Sequence, residues 1–148
     1  MVLVKHVLET ARKRLAVLGL EASIFDVARI LTNRETPLIV VCDSDGVAVG
    51  VIASSHVLNA LATAGTDAAR FNAGMLMTKP LLSCHGDEYL QQVWTVMTSL
   101  TLPCAPILDD KGRAQGILHA RDVALALIEE VNSEEVLLRD YVMGVGYQ

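Results

Sequence analysis

The sequence predicts an α+β fold built from two copies of one structural unit. A proline, a short apolar run, a turn with Asp and Gly, and a second apolar run occur twice in the same order. Pro37 and Pro103 lie 66 residues apart, and so do Gly46 and Gly112. Apolar residues at helical steps of three and four recur at the same period before each hairpin. The chain is therefore a tandem repeat whose unit runs helix, strand, turn, strand, helix.

Composition fits one compact, water-soluble domain. The 148 residues are 52% apolar and 20% charged, which excludes disordered and fibrous classes. No apolar run is long enough to cross a bilayer, and Lys5 and Glu9 interrupt any signal-peptide pattern. Three cysteines, an odd number without a short-spaced pair, argue against a disulfide framework. We expect a cytoplasmic protein that does not contact membranes.

The charge balance disfavours nucleic-acid binding. The net charge is −5, whereas a general nucleic-acid binder needs a basic surface to neutralise phosphates. The basic cluster Arg12-Lys13-Arg14 is most simply the solvated face of a helix.

The first unit follows an opening amphipathic helix. The apolar stripe that begins at Val4 predicts a helix ending near Gly19. Ser23 stands three residues before Asp26 and is a capping residue for a helix that ends near residue 33. Strands are predicted at 37–42 and 47–53, joined by a turn at residues 45–46, and a helix capped by serines 54 and 55 follows.

The second unit repeats this order after a linker at 65–78 that we expect to form a short packed helix. Asp87 is the predicted cap of a helix through Leu100, and strands are predicted at 103–108 and 113–118. The next helix begins through polar residues 119–122. A separate final helix is predicted at 133–142, with Ser133 as its cap.

These two copies resemble a pair of cystathionine β-synthase (CBS) domains, the Bateman module. The segment Met77-Thr78-Lys79-Pro80 is also similar to the Met-Thr segment at which such repeats begin. The resemblance covers nearly the whole chain. It implies two βαββα repeats packed about a pseudo-twofold axis, with N- and C-terminal helices. Repeat 1 would span 1–66, and the linker, repeat 2 and the final helix would span 67–148.

The resemblance also implies an adenosine-containing ligand between the repeats, namely AMP, ADP, ATP or S-adenosylmethionine, with no required cofactor. The family motif is Gly, two hydrophobic residues, Ser or Thr, two variable residues and Asp, and residues 116–122 read Gly-Ile-Leu-His-Ala-Arg-Asp. Asp122 would accept hydrogen bonds from a ribose diol, and Arg121 and His119 would contact phosphate. The remaining candidate ligand-binding residues are Gly116 in the motif and the adenine-pocket segment Leu82, Ser83 and Cys84.

The first repeat departs from this motif. Its copy reads Gly-Val-Ile-Ala-Ser-Ser-His over residues 50–56, so His56 stands where the motif has its Asp. An imidazole cannot accept a diol through two oxygens as a carboxylate does. We expect this site to be degenerate or empty.

Simpler structural roles compete with the binding roles. Asp122 would also serve as a helix cap, and Arg121 as a solvated residue at a helix start. His119, His85, Cys84 and Cys104 lack the short spacing of zinc sites, so no metal is expected. No catalytic triad pattern or Gly-rich phosphate loop is present in the sequence, so no catalysis is expected.

Two functions from different classes follow. The main one is a stand-alone regulatory or sensor module that binds an adenosine-containing ligand and acts on an unknown effector protein. The other is a non-catalytic dimerisation or protein-interaction module with degenerate nucleotide sites. Both imply a homodimer, because the apolar helix at 123–128 needs two neighbours, with Leu127 expected at the centre of the contact.

Overall fold

The computed structural model describes residues 1–33, 35–79 and 82–146, and these form two three-stranded sheets with flanking helices. A 3₁₀ turn at Val4–Val7 leads into the first helix, and another lies at Gly65–Arg70. The helices are α1 (Leu8–Arg12), α2 (Ile24–Leu31), α3 (Ser54–Ala64), α4 (Ala73–Leu76), α5 (Leu90–Ser99) and α6 (Ala120–Gly146). The strands are β1 (Val17–Gly19), β2 (Ile39–Cys42), β3 (Ala48–Ile52), β4 (Cys84–His85), β5 (Cys104–Leu108) and β6 (Ala114–His119).

The two sheets have the same topology, which confirms the predicted α+β tandem repeat. In each, the first strand is parallel to the second and the second is antiparallel to the third. Each antiparallel pair also shifts register once, between Val41 and Cys42 in the first sheet and between Ile107 and Leu108 in the second. These irregularities lie 66 residues apart, so the period extends to backbone detail.

The hairpin turns repeat as predicted because an Asp and a Gly set each one. Asp109 Oδ1 accepts hydrogen bonds from the backbone N–H groups of Lys111 and Arg113, at 2.8 and 2.9 Å. These bonds, above all the one from Arg113, lower the pKa of Asp109. Gly112 has φ +79°, a conformation that favours glycine. Asp43 builds the equivalent turn in the first repeat.

The N-terminal segment differs from the predicted long helix. Helix α1 ends at Arg12, and β1 follows as an extended strand. The cause is pairing with β2, since Ala16 C=O accepts a hydrogen bond from Val40 N–H at 2.9 Å. Pairing with β2 satisfies the backbone N–H and C=O groups of β1. Helical periodicity reflects only neighbouring residues and does not predict this long-range pairing.

The helix starts match the prediction in part. Ser23 caps α2, because its hydroxyl accepts from Asp26 N–H at 3.2 Å. At α3 the two predicted serines are not the caps, and His56 Nδ1 instead accepts from Ala53 N–H at 2.8 Å. Asp87 does not cap α5, which begins after Tyr89.

The C-terminal helix also differs from the prediction. Helix α6 runs unbroken from Ala120 to Gly146, and Ser133 lies in its middle rather than at a cap. Residues 121–142 contain no Gly or Pro, so no helix-breaking residue ends α6 where it extends beyond the packed part of the protein. Every residue from 131 to 142 is exposed.

Three clusters of buried side chains hold the repeats together. The first lies under sheet β1–β2–β3 and includes Ala68, Ala73 and Leu76 from the predicted packed linker. The second lies under sheet β4–β5–β6 and includes Val4 and Ala11 from the N-terminal segment. The core under each sheet therefore includes side chains from the segment that leads into the other repeat.

The third cluster lies between the sheets. Its buried members are Leu38, Val40, Cys42, Ala48 and Ile117. The hairpins also touch directly, because Ala48 N–H donates to Gly112 C=O at 2.9 Å. The two repeats thus face each other about a pseudo-twofold axis. Among the described residues, no helix is long and apolar enough to span a membrane.

Candidate functional site

The predicted motif lies where β6 ends and α6 begins. His119 is the last residue of β6, and its Nδ1 accepts a hydrogen bond from Arg121 N–H at 3.1 Å. Because Nδ1 is an acceptor, the neutral ring carries its proton on Nε2. Arg121 is exposed, and Asp122 is half-buried one residue further along the helix.

Asp122 forms an ion pair with Arg14 from the N-terminal segment. The side chain of Asp122 is 18% exposed and that of Arg14 is 23% exposed, so the pair is partly shielded from water. Sequence reasoning missed this contact because it treated Arg12-Lys13-Arg14 as a solvated face. Arg12 and Lys13 are exposed, but Arg14 is not.

A cavity of about 400 Å³ opens beside this pair, and we name it the cationic cleft. It is lined by Thr10, Lys13, Arg14, Glu35, Pro37, His119 and Arg121. Three of these side chains are cationic and one is anionic. Guanidinium and ammonium groups in such a cleft can bind phosphate.

A second cavity of about 400 Å³ is lined by residues of both repeats, and we name it the apolar cleft. It is lined by Pro37, Leu38, Val51, Ala53, Ser55, His56, Thr78, Leu82, Leu102, Pro103, Cys104, Pro106 and His119. His56 Nε2 and Thr78 Oγ1 lie 2.6 Å apart. Because Nδ1 of His56 accepts from Ala53 N–H, Nε2 of the neutral ring donates to Thr78. His56 is half-buried.

The structure places the predicted ligand-binding residues in three environments. His119 and Arg121 line the cationic cleft. Asp122 lies beside this cleft, because it pairs with Arg14, which also lines it. Leu82 lines the apolar cleft with His119, while Ser83 is exposed and outside the lining described for either cavity. The two clefts share His119 and Pro37.

The other two predicted residues lie in packed structure. Cys84 is buried in β4, where its thiol lies 3.6 Å from Pro106 C=O. Gly116 is buried against the N-terminal segment, and a Cβ there would lie 2.8 Å from the backbone carbonyl carbon of Ala11. A glycine is required at this close approach.

Thr78, Lys13 and Arg14 are site-lining residues that sequence reasoning did not single out. A signal for them exists in the repeat period. Thr78 stands 66 residues after Arg12, so the segments 10–13 and 76–79 are equivalent. Each precedes one repeat and packs beside the motif of the other, which the period alone does not reveal.

The thiols beside the clefts are held protonated by burial. Burial raises the pKa of Cys84 to about 12 and that of Cys104 to about 11. All three cysteines are free. Among the described residues, no group of three or more His, Cys, Asp and Glu side chains is arranged to hold a metal ion.

These raised pKa values predict that the protein loses stability in alkaline solution. Above about pH 9 the unfolded chain releases thiol protons that the folded chain retains, so the free energy of unfolding falls as pH rises towards the folded pKa values. Urea unfolding at about pH 8 and about pH 10 measures this slope. Cys84→Ala should flatten it. An equal slope in that variant would assign the alkaline loss to other groups.

Comparisons with known proteins match most of the described chain to one family. A family model described as "CBS domain" matches residues 4–63 and 73–129. The structure is similar to that of a CBS-domain containing protein from Agrobacterium tumefaciens. The two are 26% identical with a TM-score of 0.72, and the match covers 84% of this chain and 98% of that chain.

Two further solved structures are CBS pairs with bound ligands. One is a CBS domain pair in complex with 5′-methylthioadenosine and S-adenosyl-L-methionine, 25% identical with a TM-score of 0.73, covering 88% of this chain and 98% of that one. The other is CBSX2 of Arabidopsis thaliana in complex with AMP, with a TM-score of 0.74 and coverage of 87% and 98%. That protein is 22% identical, a likeness that shows the fold.

A curated relative carries an enzyme's name. It is the L-aspartate semialdehyde sulfurtransferase of Methanocaldococcus jannaschii, 28% identical over 69% of this chain. The match spans 19% of that relative's length. Its activity belongs to a protein about five times as long as the shared part.

Proposed function

This chain belongs to the CBS-domain family, and on that premise we propose that it is a regulatory module that binds an adenosine-containing ligand between its two repeats. The observation that carries the proposal is the grouping of His119, Arg121 and Asp122 at the start of α6, beside a cleft lined by Lys13 and Arg14. The ligands AMP, ADP, ATP, 5′-methylthioadenosine and S-adenosylmethionine share an adenosine group.

The roles proposed for the site residues follow their positions. Asp122 accepts hydrogen bonds from the ribose, which requires its carboxylate to turn from or share its pairing with Arg14. Arg121 and Lys13 contact the phosphate. Leu82 packs on an adenosine bound in the apolar cleft. Support for a bound adenosine comes from the CBS pair with 5′-methylthioadenosine and S-adenosyl-L-methionine.

A second candidate function is a dimerisation or protein-interaction module without a ligand. The observation that favours it is the Arg14–Asp122 pair, because the carboxylate predicted to bind ribose already has a cationic partner. The replacement of the motif Asp by His56 in the first repeat also favours this second function. Under either function we propose no catalysis, a cytoplasmic location suited to free thiols, and an effector protein that the module regulates.

Calorimetric titration distinguishes the two functions. The protein is titrated with AMP, ATP, 5′-methylthioadenosine and S-adenosylmethionine, with guanosine monophosphate as the control for the base. Adenosine binding predicts saturable heat for at least one adenosine compound and none for the control. Absence of heat with all four would leave the interaction module as the remaining function.

We further propose that the module is a homodimer. Large apolar side chains are exposed on helices of both repeats, namely Leu58, Leu61, Val96, Leu125, Ile128 and Val131. Leu127, by contrast, is partly buried and packs against the second core, so it is not the central contact that the sequence suggests. An exposed apolar surface of this extent on a small domain is typical of an interface.

Ile128→Glu should convert the dimer into a folded monomer, because Ile128 is 56% exposed and a charge there costs little unless a partner covers it. Light scattering at micromolar concentration measures the mass, and circular dichroism checks the fold. Leu127→Glu is the matched control, and it should lower the melting temperature because the charge enters a packed position. A monomeric wild-type protein would refute the dimer, and a dimeric Ile128→Glu variant would place the interface elsewhere.

A further inference from the structure

The two clefts differ sharply in charge although they have similar volumes. Four of the seven described residues that line the cationic cleft are Lys, Arg or Glu, namely Lys13, Arg14, Glu35 and Arg121. None of the thirteen residues that line the apolar cleft is Lys, Arg, Asp or Glu. The family motif does not predict this difference in charge between the two clefts.

A phosphate group fits one cleft and is penalised in the other. Asp122 engages Arg14, which leaves Lys13 and Arg121 as the cations that face the cationic cleft, since no ion pair within 4 Å involves either among the described residues. A phosphate moved into the apolar cleft would lose its hydration without gaining a cation, which is unfavourable.

The polar groups of the apolar cleft suit an uncharged ligand. Ser55, Thr78 and His119 offer donors and acceptors on a wall that is otherwise apolar, while both ring nitrogens of His56 are already hydrogen-bonded to Ala53 and Thr78. His56 donates to Thr78 and so leaves the threonine oxygen able to accept, and the hydroxyl able to donate, a further hydrogen bond. Hydroxyls of an uncharged nucleoside match such groups, and an apolar 5′ substituent matches the prolines and Leu82.

We infer that the two clefts divide adenosine-containing ligands by charge. The cationic cleft takes a nucleoside with a 5′ phosphate, and the apolar cleft takes a nucleoside whose 5′ substituent is uncharged and apolar, such as a thioether. The inference rests on the proposed function and specifies the ligand class of each cleft. It also assigns a binding role to the first-repeat site, where the motif Asp is replaced by His56.

Calorimetry with AMP and 5′-methylthioadenosine as the two probes tests this division. Each probe is titrated into the full chain alone and then into chain saturated with the other. Each should bind once per chain in both cases, because the probes occupy different clefts. Raising the salt concentration from about 50 to about 500 mM should weaken AMP at least threefold and leave 5′-methylthioadenosine unchanged, since screening acts on the charged contact.

Two variants assign the clefts. Lys13→Ala combined with Arg121→Ala should weaken AMP at least about tenfold, the loss expected when charge-assisted hydrogen bonds are removed, and change 5′-methylthioadenosine less than threefold. Leu82→Asp should do the reverse, because Leu82 is 51% exposed at the apolar cleft and the new carboxylate opposes an apolar substituent. Melting temperatures of all variants check folding.

The outcomes separate this inference from the proposed function. If neither probe binds, adenosine binding itself fails. If both bind but compete for one site, if one binds alone, or if each variant weakens both probes equally, the division by charge is wrong while adenosine binding stands. Independent binding with opposite responses to the two variants is the result that supports it.

Discussion

Asp122→Ala should weaken AMP binding by about 10- to 100-fold. The variant loses the charge-assisted hydrogen bonds to the ribose diol, and the loss of each one accounts for a large part of this factor. The variant should also lose about 1–3 kcal/mol of stability, since the half-buried guanidinium of Arg14 is left without its partner. Removal of a fully exposed carboxylate would leave the stability nearly unchanged, so this loss reports the pairing of the half-buried Asp122 with Arg14. Calorimetry gives the affinity and urea unfolding gives the stability.

Arg14→Ala is the matched control for this experiment. It removes the same ion pair and should lose similar stability, but it keeps the carboxylate. Its AMP affinity should stay within about threefold of wild type, because Lys13 and Arg121 remain to meet the phosphate. Wild-type affinity in Asp122→Ala would remove ribose recognition from this residue. Equal losses in both variants would show that the pair shapes the cleft and that the carboxylate itself does not bind.

Gly116→Ala should lower the melting temperature by about 3–10 °C, which corresponds to the 1–3 kcal/mol typical of overpacking in a chain of this size. The added Cβ would lie 2.8 Å from the carbonyl carbon and 2.9 Å from the Cβ of Ala11. Backbone atoms cannot rotate away, so the N-terminal segment must shift. Thermal unfolding followed by circular dichroism measures the effect.

Gly50→Ala is the equivalent change in the first repeat and should cost less. Its Cβ would meet Met77, with the sulfur at 2.6 Å and the Cγ at 2.9 Å. A methionine side chain has flexible torsions and can turn away from the contact. If Gly50→Ala were as destabilising as Gly116→Ala, the cost would not depend on whether the new Cβ meets backbone or a flexible side chain.

The hairpins could be predicted because their determinants are local. An Asp whose carboxylate binds backbone N–H groups two and four residues later, followed by a Gly at positive φ, sets each turn without help from distant residues. The strand before each turn is apolar on both faces, because the other sheet covers one face and helices cover the other. The repeat period then supplied a second, independent copy of the same evidence.

The rest could not be predicted because it depends on long-range pairing. Helical periodicity continues through residues 13–18, yet β2 draws residues 17–19 into a strand. The role of Arg14 follows from its contact with Asp122, 108 residues away, and no local pattern encodes that distance. Ser133 does not begin a new helix, because a serine acts as an N-cap only where its own backbone is non-helical, and here the chain is already helical from Ala120.

The exchange of segments between the repeats sets an order of events during translation. The first core needs no residue beyond Leu76 among its buried members, so it can close while the second repeat is still being made. The N-terminal segment leaves the ribosome first but must wait for β6, because Ala11 packs against Gly116. Until then Val4 and Ala11 have no core to enter. A nascent chain arrested after Leu76 has left the ribosome but before β6 has done so should therefore hold a protease-resistant first repeat and an N-terminal segment that proteases still cut.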